Sequence, residues 1–88
     1  LAARDSEVGL IFYVYILKLN NKDLYVGYTK DLKKRIKSHQ YGEVKATRKK
    51  RPIKLIFYTA FSEKIKAINF EKYLKSSSGF AFRNKRVI

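Results

Sequence analysis

The 88-residue sequence has no cysteine, methionine or tryptophan, one histidine and one proline. Without cysteine it can form neither a disulfide nor a thiolate metal site, and a single histidine excludes a multi-histidine zinc site. No hydrophobic run approaches the roughly 20 residues of a membrane-spanning helix, and the N-terminus lacks the basic-then-apolar order of a signal peptide. We therefore expect one cytoplasmic domain that does not enter a membrane.

Acidic residues are also scarce, with seven against 21 lysines and arginines and a net charge of +14. Such a charge attracts polyanions, nucleic acid before an anionic membrane. Residues 30–54 hold eleven basic residues and only two acids. A solvated lysine surface would have the same composition, but this density favours DNA as the partner and leaves RNA open. The residues predicted to bind nucleic acid are Lys30, Lys34, Lys45, Arg48, Lys49, Lys50 and Arg51.

The core must come from a hydrophobic fraction of 45% that includes seven tyrosines and six phenylalanines. The run from Leu10 to Leu19 is apolar on both alternating faces, which predicts a central strand covered on both sides. Residues 20–23 have turn chemistry, and Leu24 to Tyr28 form the return strand of a hairpin.

The rest of the chain alternates helix and strand. Leu32 and Ile36 indicate a helix ending at Gln40, with Thr29 or Asp31 as its N-cap. A basic loop, a third strand and a second helix follow. Their predicted bounds are 43–52, 53–61 and 63–76, with Ser62 as the second N-cap.

The β-β-α-β-α order predicts an α+β domain with a small three-stranded, mainly antiparallel sheet flanked by helices. Residues 1–9 are expected to be a flexible lead, and residues 10–88 the domain. Its tail, residues 80–88, is expected to dock as a short helix or to fray.

Glu71 interrupts the apolar stripe of the second helix, which Ala67 and Leu74 define. An ionised carboxylate in that position needs a cation or strong hydrogen-bond donors. A salt bridge to a lysine or arginine would satisfy it. A metal ion is the other alternative, although one carboxylate is a weak metal signal.

Other polar and aromatic residues are ambiguous by themselves. Arg35 and His39 lie one helical turn apart and could address one phosphate, or simply face solvent. Tyr15 and Tyr25 are ordinary core or interface aromatics whose hydroxyls need partners if buried. Gly27 indicates a bulge or a close backbone approach. These residues alone predict a basic nucleic-acid-binding domain in which a one-carboxylate metal site remains an alternative.

The same residues resemble the GIY-YIG nuclease domain. Residues 13–15, Tyr-Val-Tyr, stand at the first motif, and residues 25–27, Tyr-Val-Gly, at the second. Arg35, His39 and Glu71 match the family's arginine, its histidine-or-tyrosine position and its metal-binding glutamate. The resemblance covers residues 11 to about 79. It is strongest to the small stand-alone bacterial members, and the nuclease half of the excision-repair C subunit is also similar. The first glycine of the family motif is a tyrosine here.

This resemblance implies a divalent-metal-dependent endonuclease that hydrolyses DNA, with Glu71 holding a single Mg²⁺ or Mn²⁺ ion. Tyr15 or Tyr25 would be the general base, its pKa lowered by the metal, Arg35 and lysines. Arg35 would neutralise phosphoryl charge, and His39 would orient the phosphate or carry a proton. All five side chains would have to lie on one face of the sheet. The alternative is a basic nucleic-acid-binding module with a weak or partner-dependent nuclease site.

Overall fold

The computed structural model describes residues 10–76, and its elements follow the predicted β-β-α-β-α order. The sheet has the strand order β2-β1-β3, and both pairs are antiparallel. The α+β prediction and the central position of the first strand are therefore confirmed. The elements are β1 (Phe12–Lys18), β2 (Leu24–Thr29), α1 (Leu32–Gln40), a short 3₁₀ helix (Arg48–Lys50), β3 (Lys54–Phe61) and α2 (Lys64–Lys75).

Strand β1 lies between two separate apolar clusters, one on each face of the sheet. Val14 and Ile16 point toward α2 and pack in a cluster with its Leu74. Tyr15 and Leu17 point the other way. Their cluster includes two half-buried apolar residues of α1, Leu32 and Ile36. The helices thus cover opposite faces of one sheet, which is why both alternating faces of β1 are apolar.

The turn predicted between β1 and β2 is confirmed. The left-handed residue is Lys22, with φ of 73°, and not one of the asparagines or the aspartate. Asn21 and Asp23 instead bond across it, the Asp23 amide donating to Asn21 Oδ1 at 3.1 Å. Asn20 ties the turn to the basic loop, because its amide and side chain donate to the carbonyls of Lys50 and Arg51 at 2.9 Å.

The two helices begin differently. Asp31 is the N-cap of α1, where its Oδ1 accepts from the Lys34 amide at 3.1 Å. Thr29 bonds to the Asp31 amide just before the helix. The prediction that Ser62 caps α2 is wrong. Glu63 holds that position with extended backbone and no capping side-chain bond, so Ser62 lies outside the helix start.

The predicted flexible lead and C-terminal tail lie outside the described residues, and the domain bounds of 10–88 stay a prediction. Within residues 10–76, neither α1 nor α2 has the length and apolar character needed to cross a membrane.

Asp31 caps α1 through a side-chain hydrogen bond, whereas Glu63 makes no such bond at α2. Removing these two side chains should therefore lower the stability of the protein by different amounts. Asp31→Ala should lower the free energy of unfolding by about 1 kcal/mol, because it removes a capping bond. Glu63→Ala is the matched control. It loses only an exposed pair with Lys66 at 3.7 Å and should change stability by less than about 0.5 kcal/mol. Urea denaturation of the two variants measures both values, and equal losses would contradict the capping assignment.

Candidate active site

The Tyr15 ring occupies space that a side chain on β2 would otherwise fill. Tyr15 and Gly27 are direct cross-strand partners. A Cβ at Gly27 would overlap Cζ and Oη of the Tyr15 phenol. Gly27 is therefore needed for close approach, as the sequence indicated, and the approaching group is the tyrosine. Tyr15 is only 1% exposed as a result.

A buried hydrogen-bonded chain runs inward from Tyr15. Its Oη lies 2.9 Å from His39 Nε2, and His39 Nδ1 lies 2.8 Å from Thr47 Oγ1. His39 and Thr47 are both fully buried. A neutral imidazole donates through one nitrogen and accepts through the other, so its two partners take opposite roles. We call these three residues the buried relay.

Thr47 was missed by sequence reasoning, which treated its segment only as a basic loop. It is the only serine or threonine between Ser38 and Thr59. That isolation among lysines and arginines was the one available signal. Its burial depends on how the loop returns to α1, which no local pattern encodes.

Burial keeps the relay uncharged. It raises the pKa of Tyr15 above its usual value of 10.0, and Tyr25 and Glu71 add to the rise while Arg35 opposes it. Without a metal ion, the charge of Arg35 does not produce the predicted lowering of the Tyr15 pKa, because burial outweighs it. Burial also lowers the pKa of His39 below 6.5, with Arg35 contributing. At neutral pH the relay therefore holds a phenol and a neutral imidazole.

Tyr25 completes a cluster of three rings. Its centroid lies 5.2 Å from that of His39 and 6.4 Å from that of Tyr15. Tyr25 is half-buried, whereas the other two rings are inaccessible. His39 is buried and does not face solvent, and its predicted role in orienting the phosphate stays a prediction. Tyr25 is the ring through which the cluster meets solvent.

Arg35 lies at the exposed side of the same cluster. Its positive charge acts on both Tyr15 and His39, as their pKa shifts show. Arg35 is itself exposed and lines a cavity of about 300 Å³ with Lys34. We call this the Arg35 cavity. Two cations beside one cavity can receive a phosphate.

Glu71 approaches from the opposite layer, so the prediction that all five side chains share one face is wrong. It belongs to α2, whose apolar stripe packs on the other face of β1. Its Oε2 lies 3.0 Å from Lys75 Nζ, and Lys75 lines a cavity of about 280 Å³ with Tyr25. Lys75 is thus a shared neighbour of the Glu71 carboxylate and of Tyr25 on the edge strand β2.

Tyr28 belongs to the core and does not lie in the candidate active site. It pairs with Val14 and therefore faces α2, where its ring stacks on Phe12 at 6.5 Å. Its hydroxyl is buried without a hydrogen-bond partner among the described residues.

The predicted nucleic-acid-binding residues are all exposed. Arg51 differs from the others because its guanidinium is already bonded. It donates to the carbonyls of Arg48 at 2.9 Å and Gln40 at 3.2 Å, and so joins the basic loop to the end of α1. Phosphate contact by Arg51 stays a prediction, with fewer donors available for it.

The chain is similar to known proteins. The family model of the GIY-YIG catalytic domain matches residues 11–85. The chain belongs to the GIY-YIG family. This is a nuclease family, and the assignment of Tyr15 and Tyr25 to its two motifs stays a prediction.

The relatives of this GIY-YIG domain are bacterial. The UPF0213 protein CPE1444 of Clostridium perfringens (strain 13 / Type A) is 45% identical over 64 residues, which cover 72% of this chain and 69% of that protein. The UPF0213 protein YazA of Bacillus subtilis (strain 168) is 42% identical, with coverage of 72% and 65%. The solution structure of the UPF0213 protein BH0048 from Bacillus halodurans superposes with a TM-score of 0.54 and 36% identity. That match covers 83% of this chain and 81% of the other.

The surroundings of Glu71 are compatible with a hydrated divalent ion. Within residues 10–76, no group of three or more histidine, aspartate or glutamate side chains could hold a metal. Mg²⁺ is commonly held by one or two carboxylates, with waters and substrate phosphates completing its shell. Glu71, whose side chain is 20% exposed, fits that pattern once Lys75 releases it.

The lowered pKa of His39 predicts a specific acid sensitivity. As pH falls below about 6.5, the unfolded chain takes up a proton before the folded protein does. The free energy of unfolding should therefore fall, with a slope of up to about 1.4 kcal/mol per pH unit from this group. Urea denaturation between pH 5 and 8 measures it.

His39→Gln is the control for that titration, because glutamine keeps one donor and one acceptor but does not ionise. The variant should lose the additional slope below about pH 6.5 while keeping the dependence due to carboxylates. Identical pH profiles for the two proteins would contradict a buried neutral His39.

Proposed function

We propose that this GIY-YIG domain is a divalent-metal-dependent endonuclease that hydrolyses DNA phosphodiester bonds. The observation that carries the proposal is the position of Tyr25. It lies against the rings of the buried relay and lines a cavity with Lys75, the ion-pair partner of Glu71. Arg35 and Glu71 both shift the pKa of Tyr15, the neighbouring ring. A tyrosine, a cation and a carboxylate around one edge can serve a water, a phosphate and a metal.

Tyr25 is assigned to the attacking water. It is the partly exposed member of the three rings, whereas the Tyr15 hydroxyl is bonded to His39 and its pKa is raised. Tyr25 orients the water, and in its phenolate form it accepts the water's proton as the oxygen attacks phosphorus and the 3′ oxygen leaves with the electrons of the P–O bond. Tyr15 is a positioning residue, because it acts through His39 and Tyr25.

Arg35 is assigned to the phosphate. Its exposed guanidinium can make two parallel bonds to phosphate oxygens. The same contact stabilises negative charge that develops as the phosphodiester bond breaks. Lys34, beside it in the Arg35 cavity, adds a second cation.

Glu71, with waters, would hold the Mg²⁺ or Mn²⁺ ion. When bound, that ion supplies Lewis-acid stabilisation of charge on the leaving 3′ oxygen. Lys75 competes for the same carboxylate through its 3.0 Å ion pair. Loading the site therefore requires Lys75 to move away, and its exposed side chain has room to do so.

The second candidate function is a basic nucleic-acid-binding module whose nuclease site is weak or depends on a partner. The Glu71–Lys75 pair favours it, because the carboxylate is already neutralised in the described structure. Both functions predict binding to DNA with strong salt dependence. Only the first predicts cutting.

The nuclease proposal predicts nicking of supercoiled plasmid in the presence of Mg²⁺ or Mn²⁺. Glu71→Ala should reduce the rate on the order of 100-fold or more, because it removes the proposed metal ligand. Glu63→Ala removes another carboxylate beside the same helix and should leave the rate unchanged. Agarose-gel time courses of the three proteins measure the rates. Cutting that survives in Glu71→Ala would refute the metal mechanism, and binding without cutting would favour the second function.

The ion pair predicts that Lys75 limits metal affinity. Lys75→Gln should tighten Mn²⁺ binding by up to about fivefold, since exposed pairs contribute about 0.2 to 1 kcal/mol. Electron paramagnetic resonance of free Mn²⁺ measures the affinity without DNA or catalysis. Lys72→Gln removes the same charge from the same helix turn and serves as the control. An equal gain in both variants would show a general charge effect, not release of Glu71.

A further inference from the structure

A third cavity, larger than the two described above, lies on the other flank of α1, between that helix and β3. Its volume is about 590 Å³, and none of the predicted catalytic residues lines it. We call it the β3 groove. The lining residues that matter here are Tyr13, Tyr58, Leu55, Lys30, Lys33 and Lys37.

The floor of the β3 groove is aromatic. Tyr13 and Tyr58 lie with ring centroids 6.2 Å apart and planes inclined at 61°. Tyr58 is 53% exposed, which leaves much of its ring available to a planar group. Leu55 extends this floor with apolar surface. Such a surface suits the face of a nucleobase.

The wall of the groove is cationic. Lys33 and Lys37 are one helical turn apart on α1, and Lys30 precedes that helix; all three are exposed. None of them is in an ion pair within residues 10–76. Asp31 is the one acid in the lining, and its Oδ1 already caps α1. The groove therefore presents unpaired positive charge beside aromatic rings.

We propose that the β3 groove binds an unpaired stretch of nucleic acid, with a base stacked on Tyr58 and backbone phosphates on Lys33 and Lys37. A paired base is already stacked inside its duplex and cannot lie on the ring. An apolar peptide would leave the three lysines without counter-charge, whereas a nucleotide strand satisfies both surfaces. This binding does not depend on whether the protein cuts DNA.

The groove adjoins the candidate active site at the start of α1. Asp31 lines both the β3 groove and the Arg35 cavity. A strand held in the groove can therefore pass over the N-terminal end of α1 and reach Arg35. If the protein is a nuclease, as proposed above, the groove would hold nucleotides that flank the scissile phosphate.

Stacking is tested by fluorescence anisotropy with a labelled oligo-dT strand, in EDTA so that no cutting occurs. Tyr58→Ala should weaken binding by about 5- to 100-fold, and Tyr58→Phe, which keeps the ring, should stay near wild type. Tyr73→Ala is the control, because Tyr73 is a 41% exposed tyrosine on α2, across the sheet. A duplex of equal length should lose less than about twofold with Tyr58→Ala. Equal losses on single strand and duplex, or none on either, would overturn the proposal.

The lysine wall is tested by salt dependence. Lys33→Gln with Lys37→Gln should reduce the slope of log affinity against log salt by about 0.7 per lysine on single strands. Lys64→Gln with Lys72→Gln removes equal charge from α2 and should leave that slope nearly unchanged. Equal changes in the two double variants would contradict specific phosphate contacts in the groove.

Photocrosslinking locates the base without relying on variants that could unfold. An oligo-dT strand carrying 5-iododeoxyuridine should crosslink to Tyr58 or Tyr13, identified by mass spectrometry of the digested complex. Crosslinks confined to other residues would overturn the assignment. Plasmid cutting is scored separately, so loss of groove binding and loss of nuclease activity remain distinguishable.

Discussion

The phenol of Tyr15 crosses its neighbouring strand at Gly27 and ends on a buried histidine. That contact requires a residue without Cβ at Gly27. It also requires hydrogen-bond partners in series, because a buried hydroxyl or imidazole without a partner destabilises the fold. His39, which is 24 residues after Tyr15, provides the first partner. Thr47, which is 8 residues after His39, provides the second. Two hydrogen bonds inside an otherwise apolar layer thus hold strand β1, helix α1 and the basic loop together.

In this arrangement, the residues that hold the site in place differ from the residues that are proposed to act on the substrate. The relay is uncharged and inaccessible, so in the proposed mechanism it fixes geometry and does not contact the substrate. Tyr25 and Arg35 lie on the accessible side of that support. The edge position of β2 matters for the same reason. A side chain of α2 can reach an edge strand from the opposite layer. Lys75, the partner of Glu71, lines a cavity with Tyr25 of β2 although its helix covers the other face of the sheet.

The sequence predicted elements well where one local pattern determines them. Apolar residues on both faces of β1 predicted a central strand. Two candidate caps, Thr29 and Asp31, predicted the start of α1, and Asp31 is the cap in the structure. Relations between elements were harder. The stripe around Glu71 showed that α2 packs on the sheet, but a stripe is the same whichever face the helix covers. The spacing of Arg35 and His39 placed them on one side of α1, yet their burial differs completely. His39 is covered by the returning loop, which has no periodicity to reveal its path.

Helix α1 carries basic side chains on both of its flanks. Its inward face carries Leu32 and Ile36, while Lys34 and Arg35 line one flank and Lys33 and Lys37 the other. No acid lies in its first turn. Like charges one turn apart destabilise a helix by a few tenths of a kcal/mol, and the Asp31 cap and the apolar face offset that repulsion. A bound phosphate chain would remove it. Binding of a polyanion and the stability of α1 would therefore be thermodynamically linked, and a polyanion would stabilise the helix that positions the relay.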